Sequence, residues 1–283
     1  MTSSNKAKNR SRFRPRKQFG QHWLRDEDVL DQIVTAAELT QGDRVLEIGP
    51  GTGVLTSRLL SQVAALVSVE IDRDLCKKLV HKFGDRDNFL LAQDDFLELD
   101  LESLLQDFPK FQNPNKVVAN IPYNITGPII EKLLGKISTP APQHYESIVL
   151  LVQKEVGERL VAGPGTKVFG ALSIRVQYLA SCEIICNVPA KAFYPRPKVD
   201  SVVVRLHPKI IANPADNPRQ LETLIKLGFA SRRKMLRNNL KSVVDPQNST
   251  QILKQLNFNP QCRAEDLSLE NWISLSNSLN LIK

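Results

Sequence analysis

The stretch Val45-Leu46-Glu47-Ile48-Gly49-Pro50-Gly51-Thr52-Gly53 constrains this chain more than any other. Its apolar half reads as a buried strand. Its three glycines read as a turn whose backbone a ligand approaches closely, and residues 54–60 read as the helix that follows. Strand, glycine turn and helix in that order open a nucleotide-type α/β site, because the bare turn and the helix N-terminus together present N–H groups. The turn is G-x-G-x-G. Val54 stands where the dinucleotide fingerprint carries its last glycine, and no Gly-Lys pair follows, so the stretch is not a P-loop.

Periodicity sets the rest. Asp26 is a plausible N-cap for a helix with Val29, Leu30, Ile33, Val34 and Ala37 on one face, and Gly42 stops it. Residues 65–69 read as a second strand ending at Glu70. A helix from about Arg73 turns Leu75, Leu79, Val80 and Phe83 inward and closes at Gly84. Residues 89–92 form a third strand ending at Gln93-Asp94-Asp95, and residues 116–119 a fourth ending at Asn120-Ile121-Pro122-Tyr123. A helix over 128–136, a strand over 148–152, a helix over 155–161 and a strand over 201–206 complete this part. The alternation predicts a mostly parallel sheet covered on both faces. Composition changes after His207-Pro208, and residues 213–218 read as linker. Helical periodicity over 221–230, 232–240, 250–256 and 269–279 predicts a small all-helical second domain. The expected division is a disordered basic arm at 1–17, an α/β domain at 18–208 and a helical domain at 209–283.

Composition narrows the partner. The 283 residues carry a net charge of +8, which favours an anionic partner, nucleic acid first. Lys6, Lys8, Arg10, Arg12, Arg14, Arg16 and Lys17 precede the first acid, Asp26. This arm suits a phosphate-contacting tail; solubilising disorder and the remnant of a transit peptide are the rival readings. Cys76, Cys182, Cys186 and Cys262 have no zinc spacing and read as reduced, mostly buried thiols of a reducing compartment. No run approaches the ~18 apolar residues of a membrane span, and the N-terminus lacks a hydrophobic signal core.

Ligands of an open α/β sheet sit outside the carboxyl ends of its strands. Four strand ends here present the glycine turn, Glu70, Asp94 and Asn120. A carboxylate at Glu70 suits two ribose hydroxyls. Asp94 suits an adenine amino group, with Asp95 as its rival. Asn120-Ile121-Pro122-Tyr123 is the most informative tetrapeptide. An exocyclic amine is a poor nucleophile because its lone pair is delocalised into the ring. The Asn120 side-chain oxygen and a main-chain carbonyl near Pro122 would accept from its two N–H bonds and aim that pair, while Tyr123 stacks on the base. A base reaches such a pocket only from a loop or by leaving its helix. Further on, Arg233, Arg237 and Lys241 stand at helical spacing, with Phe229, Leu236 and Leu240 as the opposing apolar face.

Together these residues resemble S-adenosylmethionine-dependent rRNA adenine N6,N6-dimethyltransferases of the bacterial small-subunit, KsgA type. The likeness runs from about Lys17 to Trp272. Residues 16–24 resemble the family's N-terminal cofactor motif, which implies that His22 and Leu24 contact the methionine part. Gly49, Glu70, Asp94 and Asn120 match its cofactor positions, with Asn120 also facing the target adenine. Residues 153–160 and 169–173 are similar to further family segments. Phe193-Tyr194-Pro195-Arg196-Pro197-Lys198-Val199 resembles its F-x-P-x-P-x-V loop, which implies that Phe193 covers the adenine face opposite Tyr123. Arg232, Arg233, Lys234, Arg237 and Lys241 match its RNA-contacting C-terminal segment, and residues 263–268 its last motif.

The resemblance implies a Rossmann-like class I methyltransferase sheet with a small all-helical C-terminal domain. It implies S-adenosylmethionine as co-substrate and no metal. The implied substrate is a pair of adjacent adenines near the 3′ end of small-subunit (16S) rRNA in the 30S particle, in ribosome biogenesis by a cytoplasmic, monomeric enzyme with no membrane partner. The alternatives are the related large-subunit rRNA dimethyltransferase and a mainly non-catalytic assembly factor. A nicotinamide oxidoreductase is disfavoured by Val54.

Overall fold

The computed structural model describes residues 21–142 and 145–279. The basic arm at 1–17 and the first part of the N-terminal motif, residues 16–20, lie outside the described residues.

The first described elements are a two-residue strand, β1 (Trp23–Leu24), and α1 (Glu27–Ala36). Asp26 caps α1, its side chain accepting from the Val29 N–H at 3.2 Å. Then come β2 (Arg44–Ile48), α2 (Val54–Leu59), β3 (Ala65–Glu70), α3 (Arg73–Phe83), β4 (Phe89–Gln93) and α4 (Leu101–Leu105). β5 (Lys116–Asn120), α5 (Thr126–Leu134), β6 (Ser147–Gln153), α6 (Lys154–Val161), α7 (Ala171–Leu179), β7 (Ala180–Val188), β8 (Phe193–Tyr194) and β9 (Ser201–Pro208) follow. The last α-helices among the described residues are α8 (Pro218–Gly228), α9 (Leu236–Asn239), α10 (Pro246–Gln255) and α11 (Leu269–Ser278).

Seven strands form one sheet in the order β4-β3-β2-β5-β6-β9-β7. β4 through β6 are parallel, and β9 and β7 join antiparallel at one edge. The order reverses between β2 and β5, which opens a crevice beyond their carboxyl ends. β3 is buried along its whole length, as an apolar strand covered on both faces must be. One hydrophobic cluster backs the sheet with α5 and α7 and continues without a break into α8, α10 and α11. A second lies on the other face under α1 and α2.

The amino ends of β2 and β5 are pinned by a buried ion pair. Lys116 Nζ meets Asp43 Oδ2 at 3.0 Å and donates to the Glu38 carbonyl at 2.6 Å, while the Asn115 amide donates to Asp43 Oδ1 at 2.7 Å. Burial pushes the Asp43 carboxyl up, but the bonds from Asn115, the Thr40 N–H and Lys116 outweigh it and hold it below the usual range.

One expectation is corrected. The helix expected over 232–240 is one turn, α9, preceded by a turn over 231–235. Met235 is extended (φ −60°, ψ 147°), and the Asn239 amide donates back to the Gly228 and Ser231 carbonyls, which stabilises the turn instead of a helix. Arg233 and Lys241 therefore lie outside α9, and no stripe of Arg233, Arg237 and Lys241 runs along one helix. The expected linker is irregular and exposed up to the start of α8 except at Ala215, which is buried and whose N–H donates to the Tyr178 hydroxyl. Of the four cysteines, all free thiols, Cys76 and Cys262 are buried, whereas Cys182 and Cys186 are only half-buried on the edge strand β7. No described helix is long and apolar enough to cross a membrane.

Candidate active site

A cavity of about 240 Å³ opens beyond the carboxyl ends of β2, β3, β4 and β5. The glycine turn forms its floor. Gly51 (φ +59°) takes a conformation that side chains disfavour, and a Cβ there would press on the Trp23 ring at 3.5 Å. Gly53 (φ +75°) lets α3 pack on the turn; a Cβ would lie 2.6 Å from the Phe83 ring.

Two carboxylates organise the floor. Glu70, nearly buried at the end of β3, accepts from the Gly51 N–H at 3.1 Å with one oxygen and from the Asp72 N–H at 2.9 Å with the other. Burial pushes this carboxyl up, partly offset by those backbone donors. With the Ile71 N–H as a further backbone donor, the carboxylate still keeps acceptor capacity for a ligand. Beneath it, Glu47 Oε2 accepts from the Thr56 and Ser68 hydroxyls, both at 2.8 Å. Glu47 Oε1 is buried at the cavity without a partner among the described residues. Burial pushes the Glu47 carboxyl up to about 7.

Asp94 and Asp95 both line the wall after β4. Asp95 is spent on the turn: its side chain accepts from the Leu97 N–H, and its carbonyl from the Glu98 and Leu99 N–H groups. Asp94 is exposed, and one of its side-chain oxygens accepts from the Asp95 N–H at 2.7 Å. Ile71, Phe96 and Leu97 add apolar wall. These carboxylate and amide acceptors beside an apolar wall fit a nucleoside-like ligand that brings hydrogen-bond donors.

The opposite wall carries Asn120 and Tyr123. The Asn120 side-chain N–H donates to the His22 carbonyl at 3.4 Å, so its oxygen is the end left for another partner. Tyr123 donates to or accepts from the Ser201 hydroxyl at 2.6 Å. Burial raises its phenol above the ordinary value, so it stays protonated. The His22 ring stacks on Tyr123 with centroids 5.5 Å apart. His22 Nδ1 lies 2.7 Å from the Pro195 carbonyl, which can only accept, so that nitrogen carries the proton. The Pro122 carbonyl is occupied, accepting from the Ile125 N–H and the Thr126 hydroxyl.

The structure thus brings His22, Leu24, Gly49, Glu70, Asp94, Asn120 and Tyr123 to one cavity. Phe193 is elsewhere: it pairs with Leu24 across the β1–β8 ribbon, is 4% exposed, and does not line the cavity. Its neighbour Tyr194 is exposed, with the Arg25 guanidinium 4.2 Å from its ring centre. Trp23 and Glu47 are cavity residues that the sequence did not single out; the three-residue spacing from Trp23 to Asp26 carries no signal of its own. Arg232, Arg233, Lys234 and Lys241 are exposed and Arg237 is half-buried, and none of them lines this cavity. Arg232 is engaged, donating to the Lys167 carbonyl at 2.6 Å and the Phe169 carbonyl at 3.1 Å. Among the described residues no cluster of three or more His, Cys, Asp or Glu is arranged for a metal.

Fold and cavity together define a class I methyltransferase. The chain belongs to the ribosomal RNA adenine dimethylase family, whose model matches residues 12–281. It is 65% identical to Ribosomal RNA small subunit methyltransferase A of Picosynechococcus sp. over 268 residues, covering 95% of this chain and 98% of that protein. It is also 65% identical to the protein of the same name from Trichormus variabilis, covering 95% and 99%. Among solved structures it is similar to a dimethyladenosine transferase from Plasmodium falciparum, with a TM-score of 0.72, 27% identity and 90% and 96% of the two chains covered. It is similar to the 23S rRNA methyltransferase ErmE as well, with a TM-score of 0.70, 26% identity and 91% and 99% covered.

Proposed function

We propose that this enzyme transfers methyl groups from S-adenosylmethionine to N6 of two adjacent adenines in the hairpin loop near the 3′ end of small-subunit rRNA, twice per base, within the 30S particle. The observation that carries this reading is the Asn120 amide, tied through its N–H to the His22 carbonyl and so presenting its oxygen to an amine.

Glu70 is assigned to the ribose hydroxyls and Asp94 to the adenine amino group of the co-substrate. The backbone at His22, Leu24 and Gly49 is assigned to the methionine part, with Glu47 Oε1 toward its ammonium. Bound there, the co-substrate supplies an electrophilic methyl on a sulfonium. Asn120 Oδ1 and the Ile121 carbonyl, the main-chain acceptor beside the occupied Pro122 carbonyl, accept from the two N–H bonds of the target amine. That draws its lone pair out of conjugation and holds it in line with the methyl. The nitrogen–carbon bond forms as the carbon–sulfur bond breaks, and the displaced proton leaves to solvent afterwards. Tyr123, neutral and fixed by Ser201, supplies a stacking face rather than a base. Phe193 is assigned the opposite face; it is buried beside Leu24 in the β1–β8 ribbon and outside the cavity lining, so the assignment requires that ribbon to yield when RNA enters.

The cationic residues after α8, with Arg233, Lys234, Arg237 and Lys241 foremost, are assigned to rRNA phosphates, and Arg232 is grouped with them. The division into a basic arm at 1–17, a catalytic part at 18–208 and an RNA-holding part at 209–283 belongs to the same reading, as do a cytoplasmic location and a monomeric state. Small-subunit rRNA is favoured over large-subunit rRNA because relatives at 65% identity carry the small-subunit name, while the likeness to the 23S enzyme is 26%.

The test is mass spectrometry of rRNA after incubation with isotopically labelled S-adenosylmethionine, on undermodified 30S particles and on naked rRNA. Label on two adjacent adenines of the small-subunit rRNA is expected, and label only in large-subunit rRNA would refute the assignment. Asn120→Ala should keep its fold and lose about 10²-fold or more in turnover, the scale of one preorganised acceptor. Turnover near wild type in that variant would sink the catalytic role of Asn120.

A further inference from the structure

The two walls of the cavity are joined from behind by one lysine. Lys132 sits on α5, the helix that begins directly after Asn120–Ile125 and is tied to that segment by the Thr126 hydroxyl, which donates to the Pro122 and Tyr123 carbonyls. From α5 the Lys132 ammonium reaches across to the other wall. It donates to the Leu97 carbonyl at 3.0 Å and the Leu99 carbonyl at 2.6 Å, and lies 5.1 Å from the centre of the Phe96 ring. Asp94, Asp95, Phe96 and Leu97 are that wall.

The segment it grips has reason to open. Asp94, Asp95, Glu98 and Asp100 put four like charges into seven residues, and all four act on the Lys132 ammonium. Without a cation they repel one another, and the Leu97 and Leu99 carbonyls lose their donor. Phe96, buried in the core, anchors the segment, and the same ammonium lies within cation–π range of its ring.

We propose that Lys132 is a positioning residue that clasps the Asp94–Asp100 segment to α5 and thereby fixes the spacing between the donor seat and the acceptor seat. The clasp touches neither substrate. It acts through the wall that carries Asp94 and through the helix that carries the Asn120–Tyr123 turn. The proposal rests on the reading that S-adenosylmethionine lies between these walls.

The test compares the full-length wild type with Lys132→Met, which keeps the stem and loses the ammonium, Lys132→Arg, and Lys136→Met, a control just past the end of α5. Calorimetry gives Kd for S-adenosylmethionine, steady-state kinetics give KM for co-substrate and for 30S particles, and hydrogen exchange follows the amides of residues 95–99. In Lys132→Met, Kd and KM for the co-substrate should rise about tenfold, the scale of a lost charge-assisted bond. KM for the 30S particle should stay within about twofold, because the RNA-holding residues are untouched, and exchange at 95–99 should quicken while β2–β5 stay protected. Lys132→Arg should recover most of the affinity, and Lys136→Met should match wild type. Co-substrate affinity within about twofold of wild type, or 30S KM rising in step with it, would overturn the proposal, since general destabilisation predicts the latter. If Lys132→Met does not fold, Lys132→Gln takes its place with the same criteria. Absence of binding heat in the wild type would sink the co-substrate reading instead, and the exchange arm would still decide the clasp.

Discussion

Glu47 has given up its water without gaining a full set of partners. Its carboxyl is pushed up to about 7 by burial, against a usual value of 4.5, even though two hydroxyls favour its charge. The sign follows from linkage: an acid whose pKa is raised by folding resists ionisation in the native state. The penalty is absent below about pH 4.5, grows as pH rises, and is complete above about 7. Glu47→Gln should therefore stabilise the protein at pH 8 by on the order of 3 kcal/mol and leave it nearly unchanged at pH 4.5. Denaturant titrations of both proteins at the two pH values check this, and equal effects at both would refute it. On the role proposed for Glu47 Oε1, the same substitution also replaces the acceptor for the co-substrate ammonium, so affinity should fall while stability rises. That opposition is expected where a polar atom is kept unsatisfied for a ligand.

At the scale of elements, the segment after α8 carries a division of labour that its composition conceals. Arg232 spends its guanidinium on two backbone carbonyls of the 163–169 loop, and the Gly165 N–H of that loop donates to the Glu265 carbonyl. Arg233 and Lys234 are exposed beside it. Arg233→Ala should flatten the dependence of log K on log salt by ~0.7–0.9, the share of one phosphate contact. Arg232→Ala should leave that slope nearly unchanged and speed hydrogen exchange in the loop. Filter binding to 30S particles across a salt series separates the two, and equal slopes for both variants would refute the division.

The elements also show what a one-dimensional reading can reach. The parallel strands, α1, α3 and the Asn120–Tyr123 turn are legible because each is fixed by its own pattern of apolar spacing, caps and breakers. The one-turn α9 is not, because the Asn239 amide finds its carbonyls in the preceding turn and the Leu236 N–H finds the Cys262 carbonyl far along the chain. Lys132 reads as an ordinary helix lysine, since its carbonyl partners lie more than thirty residues earlier. Asp95 and Asp94 are equivalent as letters; only the turn that consumes Asp95 tells them apart.

Across the whole molecule, the cavity and the buried ion pair occupy opposite ends of the strands. The cavity lies beyond the carboxyl ends of the strands, while the Lys116–Asp43 pair closes their amino ends. Lys116→Met leaves the Asp43 carboxylate buried with one donor fewer and should cost about 3 kcal/mol. KM for both substrates should be unchanged at temperatures where the variant is folded. Asp43 is held below its usual value, so its contribution is present at neutral pH and is lost as pH falls through its folded pKa. The acid limb of the stability curve should therefore shrink in this variant. A Tm equal to that of wild type at pH 7 would show that the pair contributes nothing. The hydrophobic cluster that runs unbroken from the sheet into α8–α11 predicts a single cooperative unfolding transition, in which such losses at one end are felt throughout.

The ribbon of β1 and β8 fixes an order of events during synthesis. His22 and Leu24 leave the ribosome early, yet their partners come much later: the His22–Pro195 bond spans 173 residues. At ~5–20 residues per second, the N-terminal wall waits roughly ten to thirty seconds for the strand that holds it. The N-terminal wall of the cavity is therefore secured only after β2 through β7 have been translated, and these residues are not held in place before the Pro-rich loop has emerged.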